Sequence, residues 1–194
     1  MIEKEKFEKI KKLHGDYASW AIWSEQGEKP KSNVGDLSIL DPEKNSQLLS
    51  LLKPEIIFVA LNFSRGGGMA SPFANFHDSN PRGTDFKIRY ALKDSPYWGA
   101  YMTDIIKNFV EKDSKNLMNY LKKNQSFEKE NIKFFLKEID DLEIENPLIV
   151  AFGNDTYNIL FKNINNLKIL KIPHYAHQIS KEKYRQQVKT VLNY

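Results

Sequence analysis

Residues 56–68 read Ile-Ile-Phe-Val-Ala-Leu-Asn-Phe-Ser-Arg-Gly-Gly-Gly: a run of β-branched, aromatic and other apolar side chains that stops at Asn62 and opens into glycine. The run is apolar at successive positions and does not alternate with polar residues. It therefore suits a strand covered on both faces, the environment of a parallel sheet sandwiched between helices. Such sheets hold their ligands beyond the carboxyl ends of the strands. Asn62, placed there, is the first candidate site residue.

The rest of the chain alternates strand and helix signals. Phe7, Ile10 and Leu13 or Tyr17 recur at helical spacing, which predicts an amphipathic helix within residues 3–20. Gly27, Pro30, Asn33 and Gly35 mark a loop over 24–40, and Asp41-Pro42 reads as a helix start leading to Leu52. Residues 97–103 predict a strand with Asp104 at its carboxyl end and a helix opening at Ile105. Ser114 and Ser126 are expected to cap the next two helices, the second burying Phe134, Phe135, Leu136 and Ile139. A strand over 147–152 turns at Gly153-Asn154 into a helix with Tyr157, Leu160 and Phe161. A strand over 167–172 ends near His174, before a terminal helix carrying Tyr184, Val188, Val191 and Leu192.

Together these signals predict an α/β protein, a three-layer α/β/α fold around a central, mostly parallel four-stranded sheet. One domain is expected over 1–194, with a helical and loop extension over about 1–40. Strand ends gather at one edge of such a sheet, so Asn62, Asp104, Asn154 and His174 are expected near one crevice.

Composition removes several chemistries. With no cysteine among 194 residues, there are no disulfides, thiolate nucleophiles or cysteine-held clusters. Lys plus Arg number 29 against 25 Asp plus Glu, a formal charge of +4 that permits a nucleic-acid partner without requiring one. The charged start, Met1-Ile2-Glu3-Lys4-Glu5-Lys6, does not suit a signal peptide, and no apolar stretch approaches the roughly 20 residues that span a bilayer. A soluble, cytoplasmic monomer without a membrane partner is the expectation.

Familiar site motifs are absent. Gly66-Gly67-Gly68 lacks the Lys of a phosphate-binding loop and the spacing of a dinucleotide fingerprint. His174 and His177, with His77 and Asp78, form no recognised metal spacing, and there is no Gly-x-Ser-x-Gly elbow. Neither a metal nor another cofactor is expected.

The ordered strand-end motifs do resemble one family. Val59-Ala60-Leu61-Asn62-Phe63-Ser64 is similar to the first motif of the uracil-DNA glycosylase superfamily, Gly-x-Asn-Pro-Gly, near its mismatch-specific, single-strand-selective and thermophile-type branches. Phe73 to Pro81 resembles the following loop, and Tyr101-Met102-Thr103-Asp104-Ile105-Ile106-Lys107 the family's Tyr-Ile-Thr-Asn-Val-Val-Lys. Leu148 to Asn154 looks like its late strand and turn, and Ile172-Pro173-His174-Tyr175-Ala176 stands where the family has His-Pro-Ser. Ala60, Phe63, Asp104 and Tyr175-Ala176 depart from the pattern.

The resemblance implies hydrolysis of the N-glycosidic bond of an extruded uracil or other deaminated or mismatched base in single- or double-stranded DNA. Asn62 would position the water and His174 would stabilise the departing base, as such chemistry requires. It further implies that Phe63, Phe73, Phe76, Asp104 and Asn154 contact the base, a ring of Phe73 or Phe76 stacking on it. Arg65, Arg82, Lys87 and Lys107 would meet phosphates, and Tyr175, His177 and Gln178 would form a wedge. Asp104 stays open: an ionised carboxylate only accepts hydrogen bonds, so it alters base preference, is protonated, or caps the following helix. Two other functions stay open as well, a catalytically inactive nucleic-acid or protein binder on this scaffold and an enzyme of free nucleosides or nucleotides.

Overall fold

The structure is a computed structural model, and it describes residues 2–63, 71–80, 82–107 and 109–194. Helix α1 (Lys4–His14) buries Phe7 and Ile10 and ends at Gly15, short of residue 20. Strand β1 (Ser19–Trp20) follows. Where a helix was expected from Asp41, a 3-10 turn (Leu37–Leu40) precedes only a short α2 (Leu48–Leu51). The side chains between them divert the backbone. Asp41 Oδ1 accepts from Glu43 N, while Asn45 donates to Ile39 O and accepts from Gln47 N, local bonds that compete with a helical ladder.

Strand β2 (Lys53–Asn62) is the predicted buried strand, and α3 (Phe86–Leu92) follows it without having been foreseen. Strand β3 (Ala100–Ile106) is buried at all seven positions. It continues through Ile105 and Ile106, where a helix was predicted, because β-branched side chains suit a pleated buried surface better than a helical turn. Asp104 is thus inside the strand, opposite Ala60, and does not cap a helix.

Helix α4 (Ser114–Lys123) is capped by Asp113 rather than Ser114, and α5 (Gln125–Asp141) begins after Asn124 rather than Ser126. Of the side chains expected beneath α5, Phe135 and Ile139 are buried while Phe134 and Leu136 are exposed. Strand β4 (Leu148–Phe152), helix α6 (Gly153–Asn163), strand β5 (Ile169–Ile172) and helix α7 (Lys181–Leu192), capped by Ser180, complete the order. Phe161 on α6 is exposed.

The sheet has five strands in the order β1-β3-β2-β4-β5, a correction to the four expected. Strands β3, β2, β4 and β5 are mutually parallel, and β1 runs antiparallel at the edge beside β3. Strand side chains alternate between two clusters. Ile57, Val59, Leu61, Tyr101, Ile105 and Ile149 meet α1, α4, α5 and α6. Phe58, Ala60, Met102, Val150, Phe152 and Ile172 meet α3 and α7. The segment before residue 40 is woven into this core through Phe7, Ile10, Trp20 and Trp23.

No helix among the described residues is long and apolar enough to cross a membrane. From central β2 the chain moves out to β3 and then returns to β4 on the other side. The carboxyl ends of β2 and β4 therefore flank the point where strand order reverses, which is where an open α/β sheet leaves a crevice.

Candidate functional site

A cleft of about 600 Å³ opens at that point. Asn62, Asp104, Asn154 and His174 all line it, as do Phe63, Phe76, Arg82, Tyr175 and His177. Residues 62 to 174 are brought together by topology: β2, β3 and β4 deliver their ends or side chains to one edge, and the turn after β5 closes over them.

The Asn62 amide is oriented by its partners. Its Nδ2 donates to Phe109 O at 3.1 Å and Glu111 O at 2.8 Å, tying the end of β2 to the loop before α4. Carbonyls can only accept, so the nitrogen side is fixed and Oδ1 is left as an acceptor in the cleft lining.

His174 is fixed in the complementary sense. Ala176 N donates to its Nδ1 at 3.1 Å, so the proton of the neutral ring sits on Nε2. Burial holds the imidazole down to about pKa 4, and the like charge of His177 adds to this. The ring lies flat on Tyr175 with centroids 4.4 Å apart and meets Phe152 edge-on. At neutral pH His174 is an uncharged donor.

Asp104 is 2% exposed. Its Oδ2 accepts from Asn75 Nδ2 at 2.8 Å, and Oδ1 makes no hydrogen bond among the described residues. Burial pushes the carboxyl up to about pKa 7, against the Asn75 hydrogen bond and the nearby Lys107 ammonium.

Phe76 takes a left-handed backbone, φ 64°, which costs a bulky residue about 1–2 kcal/mol. The neighbourhood enforces it: Trp23 Nε1 donates to Phe76 O, and Phe76 N donates to Asn75 Oδ1. Its ring borders Phe152 and Tyr175.

Some predicted contacts lie elsewhere. Phe73, 1% exposed, packs its ring on Phe7 and Trp20 in the core, because its backbone N–H donates to Gly15 O just past the end of α1, and it does not line the cleft. Lys107 is 8% exposed and pairs with Glu138 at 2.6 Å while donating to Thr103 Oγ1 and Asp104 O, so its charge serves the β3 to α5 junction. Gln178 is exposed outside the cleft lining. Arg65 and the glycines after it lie outside the described residues.

The structure adds residues that sequence patterns did not single out. Asn75, Asp85, Glu111, Lys112 and Thr156 all line the cleft. Thr156 Oγ1, wholly buried, has no hydrogen-bond partner among the described residues. Lys87, expected at a phosphate, instead donates to His177 O at 2.7 Å, pinning the turn that carries His174, and is not part of the cleft lining. Among the described residues no group of three or more His, Asp or Glu side chains is arranged to hold a metal ion. Among the described residues the lining carries the acidic side chains of Asp78, Asp85, Asp104, Glu111 and Asp155 against the basic ones of Arg82 and Lys112.

No protein-family model, no characterised protein and no solved structure matches this chain. The geometry of the cleft therefore carries the functional reading.

Proposed function

We propose that the cleft takes a nucleobase with its sugar and hydrolyses the N-glycosidic bond, the chain being a divergent relative of the uracil-DNA glycosylase superfamily. The observation that carries the reading is the paired orientation of Asn62 and His174. One presents an acceptor that can hold a water, and the other a neutral donor, both fixed by backbone partners in one cleft. Hydrolysis of this bond needs those two functions. Water must be held for attack on a sugar that is becoming an oxocarbenium ion, and the base must be stabilised as it leaves with negative charge. Phe76 supplies an aromatic surface beside them, suited to a base removed from its stack. The four parallel strands in the order β3-β2-β4-β5, with helices on both faces, suit the same family reading.

The carboxylate-rich lining favours a second reading, an enzyme acting on free nucleosides, because a ligand without backbone phosphates meets less repulsion there. Base release decides between them. Purified protein is incubated with single- and double-stranded oligonucleotides carrying uracil, hypoxanthine, xanthine or a G·T mismatch, and in parallel with the free nucleosides. Release from DNA, lost in Asn62→Ala and His174→Ala, supports the glycosylase. Release from nucleosides alone supports the second reading. DNA binding without release in either arm identifies an inactive binder and ends the catalytic proposal.

A further inference from the structure

Asn75 is hydrogen-bonded at every polar atom of its side chain. Its Nδ2 donates to Tyr17 O at 2.7 Å and to Asp104 Oδ2 at 2.8 Å, and its Oδ1 accepts from Phe76 N at 3.1 Å. It is 9% exposed and lines the cleft. No donor remains for a ligand, so its role is exerted on its neighbours. Those neighbours are the acid at the base of the cleft and the ring beside it.

We propose that Asn75 is the positioning residue of the site: by occupying Oδ2 of Asp104 it leaves Oδ1 as the atom that reads the ligand edge, and with the same side chain it holds the Phe76 ring in place. This rests on the reading that the cleft takes a nucleobase.

The chemical consequence follows from the inventory of a carboxyl group. With Oδ2 accepting from Asn75, the proton of the neutral acid belongs on Oδ1, which then donates to a carbonyl oxygen. The ionised acid offers Oδ1 only as an acceptor and favours an amino group instead. A base with a carbonyl at this edge is therefore preferred while Asp104 is neutral, and the preference declines once it ionises. Burial mainly sets that point, and the charged groups around Asp104 adjust it. Asp85, ahead of α3, and Glu138, on α5, favour the neutral form, whereas Lys107, at the end of β3, opposes it. His174, also in the cleft lining, is uncharged over the same pH range.

The test is a ¹³C NMR titration of the Asp104 carboxyl in the full-length protein and in Asn75→Ala, with free uracil and free cytosine as probes between pH 6 and 8.5. A hydrogen bond to the ionised form is lost in Asn75→Ala, so its midpoint rises by about one pH unit or more. At pH 6, where the acid is mostly neutral in both proteins, the preference for uracil over cytosine falls about tenfold, the effect of one misplaced polar contact. Asp104→Asn keeps a donor at the same place; it retains the uracil preference and loses its pH dependence. An unmoved midpoint or an unmoved base preference in Asn75→Ala overturns the proposal. So does a pH-dependent preference that survives in Asp104→Asn, a variant that preserves the local hydrogen-bond geometry. If neither base binds the native protein while the midpoint still moves in Asn75→Ala, the nucleobase reading fails and the positioning of Asp104 by Asn75 stands.

Discussion

Replacing Asp104 with asparagine is predicted to stabilise the protein at pH 8 and to leave it nearly unchanged at pH 4. In the fold the carboxyl is enclosed in β3 and held at about pKa 7, against 3.8 for the free side chain. Between those values the folded state binds the proton and the unfolded state releases it, so stability falls as pH rises from about 4 to about 7 and stays reduced above that. At 1.36 kcal/mol per pH unit the full loss is about 4 kcal/mol. Residual structure in the unfolded chain makes this a ceiling. Asparagine keeps a carbonyl for Asn75 to donate to and carries no charge to bury, so the loss disappears. Urea unfolding of both proteins at half-unit steps from pH 4 to 8 reads the difference directly, since every other titrating group cancels. At pH 8 the variant should also melt about 10 °C higher, taking about 2–4 °C per kcal/mol for a chain of this size. A difference that stays flat across the range, or an asparagine variant less stable at pH 8, refutes the assignment of a neutral buried acid.

Other consequences concern neighbouring groups. His174, held down to about pKa 4, costs the fold stability as pH falls from 6.5 towards 4, and an NMR titration of its ring should find the midpoint in the lower part of that range with Nε2 protonated above it. Lys107→Met breaks the buried pair with Glu138 and should cost about 3–5 kcal/mol by denaturant unfolding. Lys107→Met with Glu138→Leu should recover part of that, within the limit set by the Tyr101 hydroxyl, which loses its acceptor. Phe73→Ala should cost about 3–5 kcal/mol as a core deletion, whereas Phe76→Ala should weaken ligand binding more than Phe73→Ala does at equal stability.

The parts of the fold that could be read from sequence are those determined by local pattern. Strand β2 is built on the apolar run 56–61 and β4 on 148–152, while α6 follows the Gly153-Asn154 turn and α7 shows apolar residues at helical spacing. Strand β1 is two residues long and exists because Ser19 and Trp20 pair with Met102 and Tyr101, a contact that no local window contains. Helix α3 escaped notice because it buries Lys87 and Arg89. Their charges are met by His177 O and by the carbonyls of Ser24, Pro30 and Ser32, so a buried face looks polar in sequence. In the site, Asn62 and His174 were legible as polar residues ending apolar strands. Asn75 was not, because what it does depends on Tyr17 and Asp104, 58 and 29 residues away along the chain. Phe73 and Phe76 look equivalent in sequence, share a left-handed backbone, and still enter opposite sides of the sheet.

The central claim is that Asn62 and His174 act together on an N-glycosidic bond, and single-turnover base release tests it most directly. With the substrate that the native protein cleaves fastest, His174→Ala should slow release about 10²- to 10³-fold, the usual cost of one preorganised donor to a developing anion, and Asn62→Ala should slow it at least as much. Native rates in both variants, or no release by the native protein from any oligonucleotide or nucleoside, contradict the account.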